Sequence, residues 1–474
     1  MKAVGGRAVG ISSHETAAGV STDSRTCVRG DLFFALRGPT FDGNMYVDAA
    51  LKAGAVAAVV DQRPESDDRP IILVSDVTAA LGRLAAYHRK RHATRIIAVT
   101  GSNGKTTTKE MIHHVLATRL PGRAALKSFN NEIGVPMTLL STREPDRYLV
   151  VEIGTNAPGE VAALAALARP DIGVITSIGP AHLAGLGGMD GVVREKTSLL
   201  RHLRPGGLAL IPGDRPGLRA VAEGVLADAG GGDTELLTFG LSEAADLRVG
   251  EVSGDLNGTR FRIDDGPVLW LAVCGAHNAT NATATYAVCR RMGLTDDQIA
   301  AGLASFQPTE LRLNVRRFGT ITVIDDSYNA NPGSVAAAID VLAAGEARRR
   351  LLVVGDMLEL GEEAAQWHER VGRQAAEAGI DVVVAAGTQA ANVAAGARAA
   401  NATVETVTCA DADEAGRAIA QLLQDGDVVL IKGSRAMGME RVAQCIERQQ
   451  SKPLRFERPP NQSDAAVTTR CHTP

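Results

Sequence analysis

From residue 95 onward, short unbroken apolar runs alternate with longer stretches whose apolar residues recur at helical spacing. The runs at 96–100, 148–153, 171–178 and 208–211 predict strands, and strands apolar on both faces belong to a buried parallel sheet. Between the first two, 105–118 puts Met111, Ile112, Val115 and Leu116 on one helical face. The stretch 238–272 is more polar and predicts antiparallel strands added to that sheet; 279–292 predicts a helix. Past Gln307-Pro308 four more apolar strands follow, at 320–324, 351–354, 381–385 and 427–431, separated by alanine-rich helices. That is the pattern of a second doubly wound α/β unit.

Residues 1–93 carry strands at 31–36 and 55–60 and helices at 47–53 and 77–91, with a polar loop at 63–70. The last helix runs into Arg89-Lys-Arg-His92, which reads as a solvated helix end rather than a binding patch. The expected fold class is α/β in three domains. A small N-terminal α/β domain spans 1–93, a central mononucleotide-binding parallel sheet 94–308, and a Rossmann-like C-terminal domain 309–450. The polar stretch 451–474 has no apolar period and is expected to be a disordered tail.

Composition narrows the function. The 50 basic and 54 acidic residues leave a net charge of −4, and aromatics are 3% of the chain, which argues against a nucleic-acid partner. Fifty glycines in 474 residues exceed the usual ~7% and point to tight turns and backbone-lined ligand loops. None of the six cysteines forms a C-x-x-C pair, and residues 1–20 lack an apolar secretory stretch, so a reducing cytoplasm is expected. No apolar run reaches the ~18 residues a membrane span needs, and a monomer is expected.

The strongest motif is Ile96-Ile-Ala-Val-Thr-Gly-Ser-Asn-Gly-Lys-Thr-Thr107: a strand, a glycine loop, then a helix start. Backbone N–H groups over Gly101, Ser102, Asn103 and Gly104 can turn onto phosphate oxygens, helped by the helix N-terminus. Lys105 would reach the β/γ-phosphates and the Thr106 hydroxyl would hold Mg²⁺, with Thr107 beside it. The loop is G-x-x-G-K-T, shorter than the common G-x₄-G-K-[ST] form. Glu152 ends the next apolar strand, where a carboxylate faces the ligand crevice or pairs with a local arginine. His182 follows the strand after that, and Lys196 lies on a helix; alone, each reads as structural. Their order after a phosphate loop raises all three as candidate catalytic residues, with Thr106 completing a metal set.

With the short loop, Glu152, His182, Lys196 and Gly275-Ala-His-Asn278 followed by Asn281, the chain resembles the Mur ligases, ATP-dependent amide-forming enzymes of peptidoglycan assembly. Asp326-Ser-Tyr-Asn-Ala-Asn-Pro332 and Gly355-Asp-Met-Leu-Glu-Leu-Gly361 are similar to the branch that adds D-alanyl-D-alanine. Thr22-Asp-Ser-Arg25, Gly30-Asp-Leu-Phe33 and Asn130-Asn-Glu-Ile-Gly-Val-Pro136 fit as well. Asn44 stands where the family usually has His.

The resemblance implies ATP and two Mg²⁺ ions, with Lys196 carbamylated. It implies a UDP-linked muramoyl tripeptide and D-alanyl-D-alanine as substrates. A tripeptide carboxylate would take the γ-phosphate and the dipeptide amine would then displace it. Asn278, Asn281 and Arg312 would face the nucleotide, although both asparagines could equally cap their helix. Ser24, Arg25, Asn130, Asn131, Asp326, Tyr328, Asn329, Asn331, Lys432 and Arg435 would face the substrates. Asp326–Asn331 also reads as an ordinary turn, and 432–435 as a solvated loop. The alternatives are the tripeptide-forming Mur ligase, a folylpolyglutamate synthase-like ligase, or a nucleotide-gated binding protein without chemistry. The third-residue ligase carries a D-N-P-R type signature, which is absent.

Overall fold

The computed structural model describes residues 2–11, 15–62 and 69–450. The expected tail at 451–474 and most of the expected loop at 63–70 lie outside the described residues. Three main sheets follow one another along the chain. The first has five strands, ordered Arg7–Val9, Ile71–Leu73, Ala57–Val60, Asp31–Phe34 and Gly19–Ser21. Its helix Val77–Arg91 starts on the Asp76 side chain, which accepts the Ala79 N–H at 2.9 Å. Phe34, Val59, Ala80 and Leu81 close the core between that helix and the sheet.

The second sheet has nine strands, with Arg95–Thr100 between Ile172–Ile175 and Tyr148–Glu152. The chain leaves Arg95–Thr100 for one side of the sheet and later returns to the other, so a crevice opens at that strand's C-terminal end. The helix Lys105–Ala117 starts there; Met111, Ile112, Val115 and Leu116 are fully buried, as their spacing predicts. In the polar stretch the first strand, Glu235–Gly240, is parallel to Leu208–Pro212. Only Leu247–Asp255, Gly258–Ile263 and Leu269–Leu271 make antiparallel pairs, which corrects the expected all-antiparallel extension.

The third sheet has six strands: Asn314–Phe318, Ile321–Asp326, Asp427–Lys432, Arg349–Gly355, Val382–Ala386 and Glu405–Cys409. All pairs are parallel except the first. Helices cover both faces around two apolar clusters. No described helix is long and apolar enough to cross a membrane.

One basic residue departs from expectation. Lys90 and Arg91 are exposed, but Arg89 is buried. It donates to the Ala168 carbonyl at 3.1 Å and pairs with Asp171 at 3.0 Å, fastening the first unit's helix to the second sheet. The surface reading failed because the charge run ends against another domain rather than in water.

Candidate active site

The phosphate loop takes the backbone its glycines permit. Gly101 has φ 147° and Gly104 φ 81°, so both sit where side chains are strained. A Cβ on Gly101 would lie 2.1 Å from the Thr176 hydroxyl. Thr176 and Ser177, which sequence reasoning did not single out, brace the loop. The Ser177 hydroxyl accepts the Asn103 N–H at 2.8 Å, and Thr176 donates to the Asn103 carbonyl at 2.5 Å. Ser102 donates to the Gly179 carbonyl at 2.9 Å. Lys105 opens the helix, and its ammonium folds back to the Gly101 carbonyl at 2.8 Å. Burial pushes its pKa down.

Glu152 is buried at the end of its strand, and among the described residues no arginine forms a salt bridge with it. Its carboxylate accepts the Thr106 hydroxyl at 2.9 Å and the Asn130 amide at 2.9 Å. Lys109, one helical turn past Lys105 and fully buried, lies 3.8 Å from it. Its ammonium donates to the Ala125 carbonyl at 2.8 Å and to the Lys127 carbonyl, tying the phosphate-loop helix to the segment that carries Asn130.

Lys196 is buried and its ammonium has no hydrogen-bond partner. It forms no salt bridge to Glu195 or Glu152. Glu195 instead accepts the Gly159 and Val161 N–H groups at 2.7 and 2.8 Å. Burial, then the charge of Lys105, push Lys196 down to about 7. His182 has φ 54°, and its Nδ1 lies 2.5 Å from Glu359 of the third sheet's unit. Burial lowers its pKa and the Glu359 carboxylate opposes that.

The last unit supplies the facing wall. Arg312 donates to the Thr106 hydroxyl at 3.1 Å and lies over the Tyr328 ring at 4.1 Å. Asn331 donates to the Asn103 side chain at 2.7 Å and also caps the helix Pro332–Ala344. Tyr328 donates to Ser128 at 2.7 Å. Lys432 is buried rather than solvated; it pairs with Asp326 at 2.5 Å and donates to the Asn329 carbonyl at 3.0 Å. Arg435 stays half exposed, paired with Glu440 at 2.9 Å.

These residues enclose a cavity of about 700 Å³. Ser102 to Thr107, Asn130, Asn131, Glu152, His182, Asn278, Asn281, Arg312, Asp326, Tyr328, Asn329, Asn331, Lys432 and Arg435 all line it. Gly101 and Lys196 are placed behind that lining, and Ser24 and Arg25 lie away from it. Arg25 is exposed and held by Asp23 at 2.7 Å. Asn44 is likewise tied within the first unit, donating to Asp42 at 2.8 Å and Asp61 at 3.0 Å.

A second cavity of about 680 Å³ adjoins the first past Gly104, His277 and Asn281. Asn278 does not cap its helix N–H groups. Its amide donates to the Cys274 carbonyl at 2.8 Å, and Asn281 donates to Asn278 at 3.1 Å. Burial drives His277, at the junction of the two cavities, to about 4, so its imidazole is neutral. Ser128, Asn156, Glu160, His277 and Thr309 also line the main cavity. Ser128, Asn156 and Thr309 come from loops and Glu160 from a helix start, none of them in a motif, and only His277 sat inside a recognisable signature.

Comparison with known proteins agrees with this arrangement. Residues 16–89 match the Mur ligase family, catalytic domain; 99–289 the Mur ligase middle domain; and 311–435 the Mur ligase, glutamate ligase domain. The UDP-N-acetylmuramoyl-tripeptide--D-alanyl-D-alanine ligase of Bacillus subtilis is 34% identical over 433 residues, covering 90% of this chain and 93% of its own. A crystal structure of MurF from Acinetobacter baumannii superimposes with a TM-score of 0.83 at 32% identity, over 91% of this chain and 93% of that one. MurF ligase from Thermotoga maritima in complex with ADP gives 0.80 at 27% identity, over 92% of this chain and 98% of that one. A phosphate loop, a strand-end carboxylate and a facing last domain in one cavity, with these matches along the chain, show that it belongs to the Mur ligase family.

Proposed function

We propose that the chain is an ATP-dependent amide ligase that joins D-alanyl-D-alanine to the free carboxylate of a UDP-linked muramoyl tripeptide. The observation that carries this reading is the direct meeting of the phosphate loop with the last domain, through Arg312 on Thr106 and Asn331 of the Asp326–Asn331 segment on Asn103. The relatives named for that reaction match over nine-tenths of the chain. Residues 1–93 would hold the UDP-linked substrate, 94–308 ATP, and 309–450 the dipeptide.

The reaction joins an anion to an anion before it joins an amine to a carbonyl. A tripeptide carboxylate oxygen bonds to the γ-phosphorus as ADP leaves. The D-alanyl-D-alanine amine then attacks the acyl carbon, inorganic phosphate leaves, and the amine loses one proton. Lys105 and the loop N–H groups would hold the β- and γ-phosphates, and Asn278, Asn281 and Arg312 the rest of the nucleotide. Asn130, Asn131, Tyr328, Asn329, Lys432 and Arg435 would orient the two reacting peptides, which removes the entropy of bringing three molecules together.

The oxygens of Thr106 and Glu152, 2.9 Å apart at the crevice, suit Mg²⁺. Among the described residues no three His, Cys, Asp or Glu side chains cluster as a metal site. A second ion near His182 therefore requires Lys196 to become anionic. Burial lowers the Lys196 pKa to about 7 and its nitrogen has no hydrogen-bond partner, so near neutral pH much of it is the neutral amine, the form whose lone pair adds CO₂ to give a carbamate with release of one proton. Bound Mg²⁺ supplies charge neutralisation between phosphate and carboxylate.

The test is phosphate release with each component omitted in turn. Release should need ATP, UDP-linked tripeptide and D-alanyl-D-alanine together. Release with a dipeptide-stage UDP substrate and a single amino acid would assign the third-residue reaction instead. Release independent of any acceptor would leave no ligase.

A further inference from the structure

The segment Gly355-Asp-Met-Leu-Glu-Leu-Gly361 has no part in the reaction as drawn above, yet it is held more firmly than a surface turn requires. The Asp356 carboxylate accepts the Thr388 N–H and hydroxyl, both at 2.8 Å, and the Gln389 N–H at 3.0 Å. The Met357 N–H donates to His368 Nε2 at 2.8 Å, and the Leu358 N–H to the Ser434 hydroxyl at 2.9 Å. Met357 and Leu360 are buried in the last unit's core. Glu359, between them, has φ 64°, a conformation few non-glycine residues adopt.

That rigid turn points at the other domain. Glu359 Oε2 lies 2.5 Å from His182 Nδ1. His182, also left-handed at φ 54°, has a buried Nδ1 that forms no hydrogen bond of good geometry, and the Glu359 carboxylate is the acceptor beside it. A Cβ on Gly361 would already be 3.4 Å from the Ala184 side chain, so the turn and the His182 segment are in close apposition. Glu359 itself keeps 60% of its side chain exposed, so its carboxylate contributes little to the core.

We infer that Glu359 is a positioning residue for His182: by taking Nδ1 it fixes the ring and leaves Nε2 as the nitrogen that faces a ligand in the cavity. Carboxylates behind a ligand histidine set its tautomer and orientation in this way. Because Glu359 comes from the last domain and His182 from the central one, the orientation of His182 depends on the two domains being docked. The inference rests on the ligase reading, in which His182 serves the reacting phosphate and carboxylate.

The test uses the full chain with Glu359→Ala and Glu359→Gln, which should fold normally because the side chain is largely exposed. Two readouts are needed. In chain labelled with ¹⁵N-histidine and free of substrates, the His182 ring signals, assigned by their loss in His182→Gln, should show a single Nδ1-protonated form. In Glu359→Ala they should move to a mixture of tautomers. In phosphate-release assays kcat should fall about ten- to a hundredfold while KM for ATP stays nearly constant. Glu359→Asp should recover part of the loss. Unchanged ring signals overturn the inference whatever happens to kcat, and so does wild-type kcat in Glu359→Ala. A wild-type chain that releases no phosphate with both acceptors would refute the ligase reading, and the ring signals would still decide the role of Glu359.

Discussion

A buried ammonium with no acceptor is unfavourable in any fold, and Lys196 is one. Leaving such a group unsatisfied costs of the order of 1–3 kcal/mol. Lys196→Met, close in volume and without the amine, should therefore unfold at the same or a higher temperature than the wild type. It should also release no phosphate. Loss of both stability and activity would make Lys196 structural. With CO₂ stripped, the wild-type enzyme should lose activity and regain it when bicarbonate is added. Lys196→Arg should stay inactive with or without bicarbonate, because arginine remains cationic. At the phosphate loop the expectation is simpler. Lys105→Ala removes a cation that no neighbour can replace, since Lys109 is committed to two carbonyls. A loss of about 10²–10³-fold in kcat is expected, with an unchanged circular-dichroism spectrum.

One element of the last domain carries a pH dependence whose direction is fixed by its hydrogen bonds. His368, buried on the helix Ala364–Glu377, accepts the Met357 N–H at Nε2 and donates from Nδ1 to the Ala364 carbonyl at 2.6 Å. Only the neutral ring can do both. Burial lowers its pKa below the ordinary histidine value near 6.5, and so do the sites of His88 and His113. The unfolded chain then binds more protons, so stability is full above pH ~6.5 and declines as pH falls through that value. Urea midpoints at pH 7.5 and 6.0 should show the decline, and His368→Gln should flatten part of it. Equal midpoints would mean that these rings titrate in the fold as they do in the unfolded chain.

At this scale the sequence was legible where residues form unbroken apolar runs, as in Arg95–Thr100, Tyr148–Glu152 and Val382–Ala386. It was not legible at sheet edges. Asn314–Phe318 interleaves two arginines, and Glu405–Cys409 alternates with water on one face, so neither shows a buried strand's signature. The phosphate loop could be read because its parts are contiguous. Glu359, Lys109 and Ser128 could not, because each acts on a partner brought near only by the fold.

The whole molecule is joined unequally at its two boundaries. Between the first and central units the contact is apolar and covalently short. Ile133, Met137 and Leu140 of the central unit pack onto the first unit's core, and the buried Arg89 spans the junction to Asp171. Between these and the last unit the apolar contact is smaller, with Cys274 and Leu256 of the central unit against the last unit's core, and it is flanked by polar contacts: Asn331 with Asn103, Tyr328 with Ser128, Arg312 with Thr106 and Glu359 with His182. Polar interfaces exchange readily with water, whereas an exposed apolar face does not. A chain ending near residue 310 should therefore fold, melt cooperatively and bind the UDP-linked tripeptide. It should bind D-alanyl-D-alanine far more weakly than the full chain. Residues 1–93 alone should aggregate, because their apolar helix face loses its cover. Arg89→Ala, which leaves Asp171 without its closest cation, should cost the full chain about 1–3 kcal/mol. Calorimetry on the fragment with each substrate separates the cases. Dipeptide binding as tight as in the full chain would show that the last domain is not the acceptor's site. A fragment 1–310 that fails to fold would show that the polar boundary carries more of the stability than its contacts suggest.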